Sequence, residues 1–132
     1  MADKGPSSRK VIITTTSNVL LAREAFMRLY QQPGNLAVAQ KLMKTKKSLD
    51  EIGFGFAEKR DAIAAGLGTP VETGKWKIEA DRVEEFQEAV AKITTEEVQI
   101  SQDVCLTMAS LQEFRISAED LERLTFLILD AE

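Results

Sequence analysis

The chain holds no histidine, one cysteine, three prolines and, among its 132 residues, only six Phe, one Tyr and one Trp. Without histidine, the commonest general base and the commonest transition-metal ligand are missing. A lone cysteine completes neither a zinc site of the usual kind nor an internal disulfide. A reducing compartment is its natural setting. No apolar run approaches the roughly 20 residues of a membrane-crossing helix. The charged start, Met1 to Lys10, leads into nothing that resembles a signal peptide. No Walker-type phosphate loop occurs: Gly53-Phe54-Gly55 is a bare Gly-x-Gly inside a helical pattern, with no strand leading into it. The shortage of aromatics predicts an aliphatic core.

What is present is ordinary for a globular chain: 44% hydrophobic and 29% charged residues. The length suits one domain, able to bury roughly two thirds of its unfolded surface without a metal or disulfide staple. Seventeen basic and 21 acidic residues leave a net charge of −4. That is too small for a steering field. It is neither the basic balance of a nucleic-acid binder nor the acidic excess of a DNA mimic.

Residues 1–9, with Gly5 and Pro6, are expected to be a flexible leader to a single domain over 10–132. The β-branched run Val11 to Thr16 predicts a strand over 10–16. Ser17 or Asn18 then caps a helix carrying Val19, Ala22, Phe26 and Leu29, which Pro33-Gly34 ends. From Asn35 to about Gly66, Leu42, Leu49, Phe56 and Ile63 recur every seven residues, with Val38, Thr45 and Ile52 between them and Leu67 closing the stripe. A heptad repeat keeps one seam against a partner helix, as in a coiled coil. All four repeat positions are expected to be buried. Gly53 and Gly55 interrupt the run, each at roughly 1 kcal/mol relative to Ala. Ser48-Leu49-Asp50-Glu51 could start a separate helix; the unbroken apolar register favours one continuous helix. Glycines 66, 68 and 74 with Pro70 predict a loop over 66–74. Lys75 to Ile78 alternates as a short strand, and Val83, Phe86, Val90 and Ile93 mark a third helix over roughly 80–93 whose acidic start suits the helix dipole. Glu97–Ile100 reads as a strand, and Cys105–Met108 as a further strand candidate. Ser117 caps a final helix of about eleven residues bearing Leu121, Leu124 and Ile128. The expected fold is α+β and mainly helical: an antiparallel helical hairpin over about 17–66 with a long second helix, plus a small C-terminal αβ cap over about 75–130.

Few residues bear on chemistry. Cys105 has no histidine to activate it and reads as a small buried hydrophobe. The carboxylate pairs Asp50/Glu51, Glu84/Glu85 and Glu96/Glu97 are adjacent in sequence, so on a helix they do not share a face. No catalytic, cofactor-binding or metal-binding residue is assigned, no cofactor is expected, and the chain is read as no enzyme. Lys41, Lys44, Lys46 and Lys47 could meet a partner or phosphates, or form the solvated face of an amphipathic helix. Trp76 between two lysines suits an interface anchor or a core plug equally. These five residues are the candidate partner-binding positions.

Several segments occur in a suggestive order. The lysine-rich stretch is followed by Phe56-Ala57-Glu58-Lys59-Arg60, then by Gly74 to Ile78, then by the acidic Asp81-Arg82-Val83-Glu84-Glu85-Phe86. Glu96 to Ile100 and Ile116 to Ile128 complete the series. Over about residues 17–128 this order resembles a family of small tailed-bacteriophage and prophage proteins of unassigned molecular role, associated with structural genes near the tail region. Asp81-Arg82 departs from the asparagine-bearing turn of that pattern, and Gly53 and Gly55 are unusual for it. The resemblance implies a non-enzymatic phage protein acting by protein–protein interaction, as a virion structural or assembly component, in the host cytoplasm or the virion. Its expected partner is a virion component or a host protein, with self-association an open alternative, nucleic acid disfavoured and no membrane. Two other readings stay open: a host-takeover protein that inhibits a host enzyme or defence complex, and a nucleic-acid-binding accessory protein using the four lysines.

Overall fold

The computed structural model describes residues 11–72 and 75–130. The expected leader, residues 1–9, lies outside them, as do Lys10 and Gly74. The fold is mainly helical α+β, in the order β1 (Val11–Thr15), α1 (Thr16–Tyr30), α2 (Leu36–Leu67), β2 (Thr69–Glu72), β3 (Lys75–Lys77), α3 (Val83–Thr94), β4 (Glu97–Ser101), α4 (Met108–Leu111) and α5 (Ala118–Leu124). Single 3₁₀ turns lead into α3 and follow β4 and α5.

Helix α1 is the centre of the core. Val19, Ala22, Ala25, Phe26 and Leu29 are each at most 1% exposed, because α2 packs on one side of α1 and α5 on another. The two small residues, Ala22 and Ala25, let neighbouring elements approach closely. The cap of α1 is Thr15, whose hydroxyl accepts from the Asn18 amide at 3.2 Å, rather than Ser17 or Asn18. Strand β1 runs straight into the helix, so the last strand residue already supplies the capping oxygen.

The α1–α2 connection is held by Gln32, whose amide donates to the Arg115 carbonyl at 2.9 Å and accepts from the Arg115 N–H at 3.0 Å. Asn35 caps α2 by accepting from the Val38 amide at 3.0 Å. Helix α2 then runs unbroken through Ser48, Gly53 and Gly55 for 32 residues, roughly 48 Å at 1.5 Å per residue. It lies antiparallel to α1: Lys46 sits over the Tyr30 ring and Asp50 pairs with Arg23 further toward the start of α1. The heptad seam is only half buried. Leu42 and Leu49 are fully enclosed, whereas Phe56 and Ile63 remain half-exposed. The reason is length: α1 covers the first half of α2, and beyond it α2 packs mainly against α3, a helix with no fully buried residue.

Strands β1 and β4 pair antiparallel, placing Ile12 opposite Ile100 and Thr14 opposite Val98 on the inward face. The segment expected as a loop over 66–74 instead contains β2, which pairs with β3 in a bulged antiparallel hairpin where Pro70 faces Trp76. Helix α2 ends in extended backbone at Gly68, where an added Cβ would lie 2.7 Å from the Lys77 carbonyl oxygen. That close approach lets the return strand fold back against the helix end. Cys105–Met108 is no strand. Leu106 alone bridges Ile128 in parallel, with Leu106 N–H donating to Leu127 O and Leu129 N–H donating to Leu106 O. This bridge also shortens the final helix, because α5 stops at Leu124 and only a 3₁₀ turn follows before Ile128 becomes extended. The expected C-terminal cap is woven into the hairpin core: Ile100, Leu106, Leu124, Leu127 and Ile128 share one buried cluster with α1 and α2.

Candidate protein-binding surface

Helix α2 carries two apolar lines. The inner one is the buried seam. The outer one consists of Leu36, Met43 and Phe54, which are 75%, 60% and 58% exposed. Their spacings, seven and eleven residues, are close to whole numbers of turns, so at about 100° per residue they fall within roughly 20° of one line. Exposed Lys47, Asp61 and Ala65 lie on the same line. The core-facing residues Leu42, Thr45 and Leu49 point nearly the opposite way. Periodicity could have revealed the outer line, but the seven-residue repeat of the inner seam dominates the pattern and leaves these residues unassigned.

Beside that line lies a shallow groove between α1 and α2, walled by Leu20, Glu24 and Met27 on one side and Asp50 and Phe54 on the other. A charged ladder crosses its floor. Arg23 donates to the Asp50 carboxylate at 2.9 Å, and Lys46 donates to its other oxygen at 2.6 Å. Burial opposes ionisation of Asp50, but the hydrogen bonds from Lys46 and Arg23 outweigh it and hold the carboxyl below its ordinary range. Each cation also rests on an aromatic ring, Arg23 over Phe54 at 5.0 Å and Lys46 over Tyr30 at 5.5 Å. Gly53 makes room for this ladder. A Cβ there would stand 2.9 Å from the Arg23 Cζ and closer still to Nη1. The glycine that weakens the helix on propensity is therefore the place where the guanidinium crosses it.

The four lysines singled out in the sequence do not form one patch. Lys41 donates to the Asp103 carbonyl, fastening α2 to the turn after β4. Lys46 belongs to the ladder on the α1 side. Lys44 and Lys47 are exposed and have no ion pair among the described residues. Trp76 is half-buried on the hairpin and distant in sequence from the lysines. Cys105 is 1% exposed, its thiol donating to the Ser101 carbonyl at 3.6 Å, and burial raises its pKa despite the opposing effect of Lys41. Sequence reasoning also missed the tie between Arg28 and Asp120, bidentate at 2.7 and 2.8 Å, which joins α1 to the first turn of α5. The bonds from Arg28 hold the Asp120 carboxyl below its ordinary range although burial opposes this.

Among the described residues no group of three or more His, Cys, Asp or Glu side chains is placed to hold a metal, and no helix is long and apolar enough to cross a membrane. No protein-family model, curated protein or solved structure matches the chain.

Proposed function

We propose that this chain is a non-enzymatic protein-binding module that works through the outward face of α2, and that it serves in virion structure or assembly. The observation that supports the first half is the exposed line of Leu36, Met43 and Phe54. Single exposed apolar residues are common on protein surfaces. A set in helical register is different, because a partner helix reads anchors at that spacing. The flanking Arg23, Met27 and Tyr30 are residue types enriched where proteins meet. The ladder holds the Arg23 and Tyr30 side chains in place, so little of their rotamer freedom remains to be lost on docking.

The second half rests on the order of segments that resembles small tailed-phage proteins. No specific observation favours nucleic acid: two of the four lysines are already engaged within the chain.

A photo-crosslinking amino acid in place of Phe54, with exposed Glu122 on α5 as the control position, tests the face. Protein crosslinks from 54 and not from 122 are expected in infected cells. Equal yields at both positions would remove the special status of this surface. Mass spectrometry of purified particles and of their assembly intermediates tests the setting. Absence from both would overturn the virion role and leave the binding module intact.

A further inference from the structure

We propose that the open edge of β1 pairs antiparallel with β1 of a second copy of this chain, about a twofold axis at Ile13. This surface is separate from the outward face of α2. Among the described residues, β1 has β4 along one edge and no strand along the other. Thr16 N–H donates to the Glu96 carbonyl at 3.0 Å and continues the ladder, so Thr14 with Val98 and Ile12 with Ile100 are its hydrogen-bonded pairs. Bonded and non-bonded pairs alternate along an antiparallel ladder. The N–H and C=O groups of Val11 and Ile13, and the N–H of extended Thr15, therefore point to the open edge. The Thr15 carbonyl is committed elsewhere, because an N-cap carbonyl accepts the first bond of its helix.

Proteins usually blunt such an edge with charge, proline or a bulge. The sequence Val11–Thr15 has no charge and no proline, and its ladder with β4 has no bulge. Val11 and Ile13 are 44% and 60% exposed. The free edge of β4 is different, since it carries exposed Glu97.

Parity and closure decide the occupant. A twofold at Ile13 sets position 13 against 13 and 11 against 15. Ile13 then exchanges both of its backbone bonds with its own copy, and each Thr15 N–H meets the other copy's Val11 carbonyl. Only the Val11 N–H is left to water. A centre on Ile12 leaves Thr15 unpaired, and a centre on Thr14 sets Val11 against Ser17, which is already helical. No side chain of β1 is charged, so self-pairing opposes no like charges, and it sets β-branched residues beside one another across the strands. Pairing of β1 with the second copy's β4 would leave one β1 edge open and repeat without closing. Pairing of β1 with β1 uses both unguarded edges and ends in a sheet ordered β4–β1–β1–β4, with Glu97 on each outer strand.

Sedimentation equilibrium of the full chain tests the proposal, with far-UV circular dichroism confirming that each variant is folded. The wild-type chain is expected to be dimeric. Ile13→Pro removes an outward N–H that β4 does not use, so it should fold and be monomeric. Ile13→Lys keeps that N–H but sets two ammonium groups together on the axis. It and Ile13→Glu should each weaken the dimer about tenfold or more, and an equimolar mixture of the two should pair more tightly than either alone. Ile13→Cys should form an intermolecular disulfide on oxidation, because Cα atoms of a hydrogen-bonded antiparallel pair lie about 5.5 Å apart, within reach of that bond. Gln99→Cys, on β4, should not.

A wild-type chain monomeric at millimolar concentration overturns the proposal. So does a dimer unaffected by Ile13→Lys, or a mixture no tighter than its components. A dimer lost in Phe54→Glu and kept in Ile13→Lys moves self-association to α2 and overturns the strand pairing.

Discussion

Replacing Gly53 by Ala sets two effects of similar size against each other, and the neighbour that decides the outcome can be removed separately. Alanine in a helix interior is favoured over glycine by about 1 kcal/mol. The new Cβ would collide with the Arg23 guanidinium, the mobile end of a side chain that is 30% exposed, so Arg23 swings away rather than the helix moving. It then loses its bond to Asp50, worth at most about 1 kcal/mol for a partly exposed pair, and its contact with Phe54, worth about 0.5–1 kcal/mol. With Arg23 present, Gly53→Ala is expected to be between about 0.5 kcal/mol stabilising and about 1 kcal/mol destabilising. In an Arg23→Ala background only the propensity gain remains, so the same change should stabilise by about 1 kcal/mol. The coupling is therefore about 0.5–2 kcal/mol, against a scatter of at most about 0.5 kcal/mol for independent sites. Urea unfolding of the four chains, followed by circular dichroism with m-values compared, measures it. Equal stabilisation by Gly53→Ala in both backgrounds would refute the account of why a glycine stands there.

Three further outcomes follow from the packing and charge of the chain. Phe26→Ala, at a fully enclosed site, should cost about 3–5 kcal/mol, half-buried Phe56→Ala about 1–2, and Phe54→Ala no more than about 1 in the monomer, the worth of its contact with Arg23, all read from urea unfolding; a larger loss at Phe54 would mean that it supports the fold. Asp120 ionises at lower pH folded than unfolded, so its stabilisation is present above the unfolded value, about pH 3.9, and is lost as pH falls through the folded value. Asp120→Asn should therefore lower the urea midpoint at pH 7, and the gap to wild type should close below about pH 4; a gap that persists at acid pH would refute this. The Cys105 thiol, buried and held protonated, should react with iodoacetamide only as fast as the chain opens, so its labelling rate should rise with urea; rapid labelling of the folded chain would contradict the buried placement.

Local signals were legible wherever one element answered to its own residues. The β-branched run at Val11 to Thr15 formed a strand, Pro33-Gly34 separated α1 from α2, and Ser117 capped α5 by accepting from the Asp120 amide at 3.0 Å. The continuous apolar register through Ser48 correctly outweighed two glycines. The misreadings share a cause. Glycine and proline at 66–74 signal turns, yet β2 exists because β3 returns beside it. Cys105–Met108 alternates like a strand, but only Leu106 has a bridge partner there, so the segment passes into a capped helical turn instead.

The candidate surface was less legible than the fold. Lysines at 41, 44, 46 and 47 look alike in a string, and only the neighbours on either side of α2 separate those tied inward from those left free. Composition and periodicity alone determined that this is a mainly helical chain with an aliphatic core and one dominant long helix, because propensity, capping and apolar spacing act within a few turns of chain. The tertiary structure alone decided which half of the heptad seam is covered, why Gly53 is a crossing point, and which apolar residues of α2 face outward. Those depend on where α1 ends along α2 and on what Arg23 meets, and both are contacts between residues far apart in sequence.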